Sequence, residues 1–109
     1  MEFINKIELQ GIVGNAKVDT IGETKSVRFS LCTQNAYNSE GGDAVVDCTW
    51  FNCLAWEGKK TKDITKIKSH DMIHLKGRVR TYSYIGADGA DRYTWEVLCH
   101  ELEILPKQD

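Results

Sequence analysis

The 109-residue sequence lacks the marks of an exported or membrane-spanning protein. Its first ten residues, MEFINKIELQ, contain no basic segment followed by an apolar one, so a secretory signal is not predicted. No apolar run reaches the roughly 20 residues that a membrane-spanning helix needs. Proline occurs once, at Pro106, where it ends the regular structure. We therefore expect a cytoplasmic protein.

The sequence also lacks a C-x-x-C pair, although it has four cysteines. Such pairs are typical of zinc sites and of redox-active centres. Because nothing in the chain indicates export, we expect free thiols in a reducing compartment rather than disulfides. The four are Cys32, Cys48, Cys53 and Cys99.

An excess of basic residues is missing too, since the net charge is −2 and the pI about 5.9. This balance argues against a simple basic nucleic-acid binder. The charge is polarised, however, because residues 59–80 hold eight basic and two acidic residues, a net of +6. The remaining residues therefore sum to −8. A basic surface and an ordinary solvated loop explain this segment equally well.

The pattern of apolar residues predicts one all-β domain, residues 1–109 with a core over about 3–105. Residues 5–13 alternate, with Gly11 and Gly14 permitting a bulge, and residues 17–24 form a short segment broken by a turn at Gly22. Residues 35–43, which carry Tyr37, are rich in turn formers and predict a flexible connection ending in a Gly-Gly hinge. An Asp-Gly signal predicts the last hairpin. Further strands are predicted over 26–33, 45–56, 72–84 and 92–104, and a short helix over 61–67.

The order of these elements, three strands, a short helix and two strands, predicts a five-stranded Greek-key barrel of the oligonucleotide/oligosaccharide-binding (OB) fold. Within this fold, successive residues of the stretch CTWFNCLAW point to opposite faces of one strand. Phe51, Cys53 and Ala55 make an adequate core face. Trp50 and Trp56 lie on the other face with the polar Asn52 between them, which favours a binding surface, since a buried amide would need partners.

Signs of catalysis are weak. His70 and His74 have a spacing that suits a metal on a helix, but the pattern places His74 on a strand, where such residues lie about 13 Å apart. Cys99 and His100 are consecutive in a strand and point to opposite faces, which disfavours a dyad. We therefore expect no enzyme, no metal and no cofactor; a cysteine-dependent enzyme is the weakest alternative.

Signs of binding to single-stranded nucleic acid are stronger. Such sites combine aromatic faces, on which bases stack, with a basic groove along the phosphates. Strand and loop positions here supply both. The aromatic candidates are Tyr37, Trp50, Trp56, Tyr82 and Tyr84, and the basic candidates on polar strand faces are Arg28, Arg78 and Arg80.

Five pieces of the chain together resemble bacterial single-stranded DNA-binding proteins. In order they are NKIELQGIVG, VRFSLCTQNAY, TWFNCLAW, GRVRTYSY and DRYTWEVLCHELEIL, and the resemblance extends over nearly the whole chain, from about residue 3 to residue 105. The resemblance implies non-specific binding of single-stranded DNA in replication, recombination and repair. It also implies stacking on Tyr37, Trp50, Trp56 and Tyr84, and phosphate contacts from Lys6, Arg28, Arg78 and Arg80.

The same resemblance implies a homotetramer, with a dimer as the alternative, in which the edge of the first strand pairs between protomers. Phe51 stands where well-known members have a histidine at that interface. The sequence ends at LPKQD without the acidic tail that recruits replication and repair enzymes in the family. An alternative function is therefore a tailless, primosome-type protein-interaction module in replication restart.

Overall fold

Five long strands and one short 3-10 turn make up the chain in a computed structural model, which describes residues 2–106. The first two strands and the last two are joined by tight turns, as the glycine signals predict. Gly22 and Gly89 have φ angles of 63° and 81°, in the left-handed region that favours glycine. The elements are β1 (Ile7–Ile21), β2 (Thr24–Asn38), β3 (Ala44–Trp56), the 3-10 turn (Ile64–Lys66), β4 (Met72–Ile85) and β5 (Asp91–Ile104).

The strands close into a barrel in the order β1-β2-β3-β5-β4. All neighbours are antiparallel except β3 and β5, which pair in parallel over only three residue pairs, from Cys53–Val97 to Ala55–Cys99. This architecture confirms the predicted five-stranded OB-fold barrel.

The barrel interior is filled by the alternating apolar residues of the strands, as the strand period requires. Cys53 and Ala55 are buried there, and the half-buried Phe51 packs against them, as predicted. Leu54 departs from the simple two-face division, because it is 2% exposed although it shares a face with the tryptophans. The other buried members of the core are Val13, Val27, Phe29, Leu31, Ile64, Ile67, Ile73, Leu75, Val97 and Cys99.

A bulge interrupts the β1–β2 ladder between Val13 and Ala16, where Gly14 predicted one. Ser30 fixes this bulge, because its Oγ accepts a hydrogen bond from the Asn15 backbone N–H (3.1 Å) and donates one to Asn15 Oδ1 (3.0 Å). The bulge bends β1 without ending it. Residues 5–13 and 17–24, predicted as separate segments, therefore belong largely to one strand, Ile7–Ile21.

The prediction of a flexible connection over residues 35–43 is wrong. The β2–β3 ladder continues without a break to the Asn38–Ala44 pair, and only a tight turn remains between the strands. In that turn Ser39 N–H donates to Asp43 O, and Gly42 has a φ of 85°. Main-chain hydrogen bonds hold this arm, which has no buried face, so the usual apolar alternation is missing. Tyr37 therefore lies on a strand.

The predicted helix over residues 61–67 is shorter than expected, a single 3-10 turn at Ile64–Lys66. Asp63 at its N-cap makes no side-chain capping bond, and Ile67 is already extended, with φ −67° and ψ 131°. Thr61 instead donates from Oγ1 to the Trp56 carbonyl at 2.5 Å. The predicted apolar contact is confirmed, since Ile64 and Ile67 are buried in the core.

Two further predictions concern possible catalytic groups. His74 lies on β4, as the alternation predicts, and Cys99 is buried while His100 is exposed. Within residues 2–106, no group of three potential metal-ligating side chains is found. In the same part of the chain, no helix is long and apolar enough to cross a membrane.

Candidate nucleic-acid interface

The outward face of β3 presents two tryptophans to solvent. Trp50 is 57% exposed and Trp56 40%, and Asn52 between them is exposed as well. Six residue steps along the strand separate the tryptophans, a distance of about 20 Å. Leu54, between Asn52 and Trp56 in the sequence, is buried. The arrangement predicted from CTWFNCLAW is therefore present, with one buried position inside it.

Trp50 rests on the β1 bulge. A Cβ atom placed on Gly14 would lie 2.7 Å from Cζ3 of the Trp50 ring and 2.7 Å from Ser30 Oγ. Only a residue without a side chain allows this close approach. The β1 bulge and the β3 aromatic face are thus one structural unit, in which Gly14 determines where the Trp50 ring can lie.

Strand β4 supplies a second row of candidate side chains. Arg78, Arg80, Tyr82 and Tyr84 alternate along one face, opposite Leu98, Glu96, Thr94 and Arg92 of β5 respectively. The Tyr82 and Tyr84 rings are 6.4 Å apart between centroids, tilted by 45°, and both are exposed. The last hairpin therefore carries two accessible aromatic rings beyond two arginines.

Glu96 of β5 connects the β4 row to a side chain of β2. Its Oε2 accepts a hydrogen bond from Arg28 of β2 at 2.8 Å, and its Oε1 accepts from the Nε and NH2 groups of Arg80 at 2.7 and 2.6 Å. The Glu96 side chain is 2% exposed, whereas Arg28 is 53% and Arg80 39% exposed. This carboxylate places the outer faces of β2, β4 and β5 on one side of the barrel.

The sequence-based prediction missed Glu96, although a signal for it exists. The Asp-Gly turn fixes the register of the β4–β5 hairpin, and counting outward from that turn pairs Arg80 with Glu96. Its second partner, Arg28, lies on a strand 68 residues away in sequence and has no comparable local signal.

A surface cavity of about 360 Å³ opens at the same place. Tyr82, Asn52 and Arg28 belong to its wall, together with Lys17 and Ser30. Its lining combines two aromatic residues, two amides, a hydroxyl and two cationic groups with one carboxylate, that of Glu96. A groove with this chemistry suits a nucleotide, which has an aromatic base and an anionic phosphate.

The remaining predicted residues lie farther from this centre. Arg78 is exposed and has no ion-pair partner among residues 2–106. Lys6 precedes β1 and borders a different cavity, with Lys76 and His100. Tyr37 is half exposed at the end of the β2–β3 arm, where the unbroken register places it on the side of Leu31 and not on that of Trp50.

The third tryptophan, which the pattern did not single out, has a different environment. Trp95 of β5 packs edge-to-face on Phe51, with 6.0 Å between ring centroids and 81° between planes. In the β4–β5 register it pairs with Thr81, so it lies on the face opposite to Arg80 and Tyr82. Trp95 therefore lies on the face of β5 opposite to Glu96.

Comparison with known proteins agrees with this architecture. The model of the "Single-strand binding protein family" matches residues 4–105. A single-stranded DNA-binding protein of Neisseria meningitidis serogroup A is 26% identical over 106 residues, covering 94% of this chain and 60% of its own length. Single-stranded DNA-binding protein 1 of Chlorobaculum tepidum is 26% identical over 111 residues, covering 97% of this chain and 67% of its own. The chain thus spans about three fifths of the Neisseria relative.

Solved structures share the fold. The Plasmodium falciparum SSB in complex with ssDNA superimposes with a TM-score of 0.83 at 18% identity, covering 97% of this chain and 98% of that one. A small single-stranded DNA-binding protein from Streptomyces coelicolor gives a TM-score of 0.69 at 18% identity, with 95% of both chains covered. Because the family model matches nearly the whole chain, this protein belongs to the single-strand binding protein family.

Proposed function

We propose that this protein binds single-stranded DNA without sequence specificity, by stacking bases on exposed aromatic rings and neutralising phosphates with basic side chains. One observation carries the proposal. Trp50 and Trp56 on β3 and Tyr82 and Tyr84 on β4 are all exposed on outward strand faces, and a cavity lined by Asn52, Tyr82 and Arg28 lies between those strands. Membership of the single-strand binding protein family supports the same function.

Stacking on aromatic rings does not depend on the base sequence of the DNA. Each stacked base contributes about 1–3 kcal/mol, and every base offers an aromatic face. The cationic groups along the path are Lys17, Arg28, Arg78 and Arg80, which are at least partly exposed and can reach phosphates. Asn52 supplies a polar contact between the tryptophans. Tyr37, on the other face of the β2–β3 arm, and Lys6, before β1, are proposed as contacts outside this path.

The wider roles follow from this activity. Coating single strands serves DNA replication, recombination and repair in the cytoplasm, and it requires no catalytic step. The proposed active form is a homo-oligomer, a tetramer or a dimer. Exposed edges of β1 support this, because residues 7–11 pair only with β4 and leave a second edge open to another strand.

The test is a titration of intrinsic tryptophan fluorescence with poly(dT) at several salt concentrations. Stacking on Trp50 and Trp56 is expected to quench the emission. The logarithm of the binding constant is expected to fall linearly with the logarithm of the salt concentration, with a slope of about −0.7 for each neutralised phosphate. The absence of both quenching and salt-sensitive binding would refute the proposal. Retention of a replication protein in a pull-down, without any DNA affinity, would favour the interaction-module alternative.

A further inference from the structure

One buried carboxylate lies beneath the basic side chains of the proposed binding face. Glu96 is 2% exposed and accepts hydrogen bonds from both Arg28 and Arg80 at 2.6–2.8 Å. A carboxylate this deeply buried is costly unless charged partners surround it, and here two guanidinium groups do so. Three formal charges therefore act as one group with a net charge of +1.

The two arginines are only partly occupied by this carboxylate. Arg28 keeps 53% and Arg80 39% of its side chain exposed, and a guanidinium has five N–H donors in a fixed fork. Both can still contact a phosphate. The phosphate then lies within a few ångströms of the Glu96 charge, which repels it in a region of reduced dielectric.

We propose that Glu96 limits the positive charge that the Arg28–Arg80 pair presents to the phosphates. It thereby lowers both the affinity for single-stranded DNA and the dependence of that affinity on salt. The inference rests on the proposed function, binding of single-stranded DNA. Its physical reason is counterion release, since a face with a net charge of +1 exchanges fewer counterions with a phosphate chain than one with +2. The consequence is that bound DNA dissociates more readily than it would from a face with a net charge of +2.

A purely structural role for Glu96 predicts the opposite result. If the carboxylate served only to hold the two arginines in place, its loss would disorder them and weaken DNA binding. If it limits charge, neutralising it strengthens binding at low salt. The sign of the change in affinity and in the salt slope therefore separates the two roles.

The experiment compares poly(dT) affinity of wild type and Glu96→Gln between 50 and 200 mM salt. Glutamine keeps the shape and removes the charge, and its one oxygen still accepts a hydrogen bond from one of the two arginines. In Glu96→Gln the slope of log binding constant against log salt concentration is expected to be steeper by about 0.7. Its affinity should therefore fall about threefold more than that of wild type between 50 and 200 mM salt, and it should bind more tightly than wild type at 50 mM. Arg78→Gln calibrates the measurement, because it removes one cation without an ion-pair partner among residues 2–106 and is expected to flatten the slope by a similar amount.

The double variant Arg28→Gln/Glu96→Gln is the decisive control. It restores the net charge of +1, so its slope is expected to return to the wild-type value. An unchanged or flatter slope in folded Glu96→Gln, or a double variant as steep as Glu96→Gln, would overturn the proposal. If Glu96→Gln alone does not fold, as judged by circular dichroism, Arg28→Gln is compared with the double variant, and the same difference of about 0.7 is expected.

The outcomes also separate this inference from the proposed function. Wild-type protein that shows no salt-sensitive binding to poly(dT) refutes the proposed function. Wild-type protein that binds, with a Glu96→Gln slope no steeper than its own, refutes only the role of Glu96.

Discussion

The ring of Trp50 lies against the backbone of Gly14, so closely that a methyl group at position 14 would come within 2.7 Å of ring atom Cζ3. The contact joins the β1 bulge to the outward face of β3. A strained backbone does not explain the glycine here, because Gly14 is absent from the residues with positive φ within residues 2–106. The glycine is required by the space that the indole occupies.

Gly14→Ala is therefore expected to displace the Trp50 ring and to weaken DNA binding without unfolding the barrel. Loss of one stacked base corresponds to about 1–3 kcal/mol, or roughly 5- to 150-fold in affinity for poly(dT). Gly41→Ala is the matched control, since its nearest neighbour would be Asp43 Oδ2 at 4.0 Å and its φ is not positive. Wild-type affinity and wild-type tryptophan emission in Gly14→Ala would contradict the expectation.

The three tryptophans are expected to differ in their contribution to binding. Trp50→Ala and Trp56→Ala should each weaken binding by about 1–3 kcal/mol, because each removes a stacking face. Trp95→Ala should leave the affinity unchanged, because this ring packs on Phe51 on the opposite face of β5. Fluorescence titration measures the affinities, and urea unfolding corrects for lost stability. A larger effect from Trp95→Ala than from Trp50→Ala would show that the binding face is assigned wrongly.

Much of the barrel could be predicted from the sequence, because strands with one buried face alternate. That signal identified the outward positions of Trp50 and Trp56, and the Asp-Gly turn signal identified the hairpin at Asp88–Gly89. It failed where a strand has no buried face, as in the arm that contains Tyr37. It also could not give the Arg28–Glu96 contact, which requires β2 and β5 to lie on the same side of the closed barrel.

The four thiols are expected to react with iodoacetamide in order of exposure. Cys48 is exposed and should react first. Burial and a hydrogen bond with Cys48 raise the pKa of Cys32, which should follow more slowly. A hydrogen bond with Cys99, together with burial, raises the pKa of Cys53 far above its usual range. Because Cys53 and Cys99 are both buried, they should react only on unfolding. Peptide mass spectrometry over time measures the order.

Complete modification of all four cysteines in denaturant serves as the reference for that experiment. Rapid labelling of Cys53 or Cys99 in the native protein would contradict the closed core. DNA binding is expected to survive selective labelling of Cys48, which would also exclude a function that depends on this thiol.

The exposed pair of Lys60 and Glu101 predicts a small dependence of stability on pH. Lys60 Nζ is 2.8 Å from Glu101 Oε1, and this hydrogen bond lowers the pKa of Glu101 and raises that of Lys60. The contribution of Glu101 is present above its unfolded pKa, about 4.3, and is lost as the pH falls through its lower folded value. That of Lys60 is present below about pH 10.4 and is lost as the pH rises through its higher folded value.

Lys60→Met is therefore expected to lower the urea midpoint slightly at neutral pH and to leave the acid and alkaline limits unchanged. The effect should be small, because exposed ion pairs contribute little. Lys59→Met is the control, as a neighbouring exposed lysine without an ion pair among residues 2–106. Equal midpoints for the two variants from pH 3 to pH 7 would contradict the prediction.

The 3-10 turn is expected to stabilise the barrel through one side chain. Ile64 is fully buried, and it packs into the core from the segment between β3 and β4. Ile64→Ala should lower the free energy of unfolding by about 2–5 kcal/mol, the usual cost of such a truncation. Ile21→Ala, at a position 65% exposed, should change it by less than about 0.5 kcal/mol. Urea denaturation measures both, and similar values would contradict a core role for the turn.

The short parallel pairing of β3 with β5 has a consequence for motion. Only three residue pairs close the ring, whereas the antiparallel ladders on either side are much longer. Local opening is easiest where the fewest hydrogen bonds must break. Among residues 53–55 and 97–99, the amide protons that donate across the β3–β5 pairing should therefore exchange with solvent before those in the middle of the β2–β3 ladder. A DNA strand laid from the β3 tryptophans to the β4 tyrosines would cross this junction. Bound DNA would then slow amide exchange at this junction, so the exchange rate there would measure how much of the protein has DNA bound.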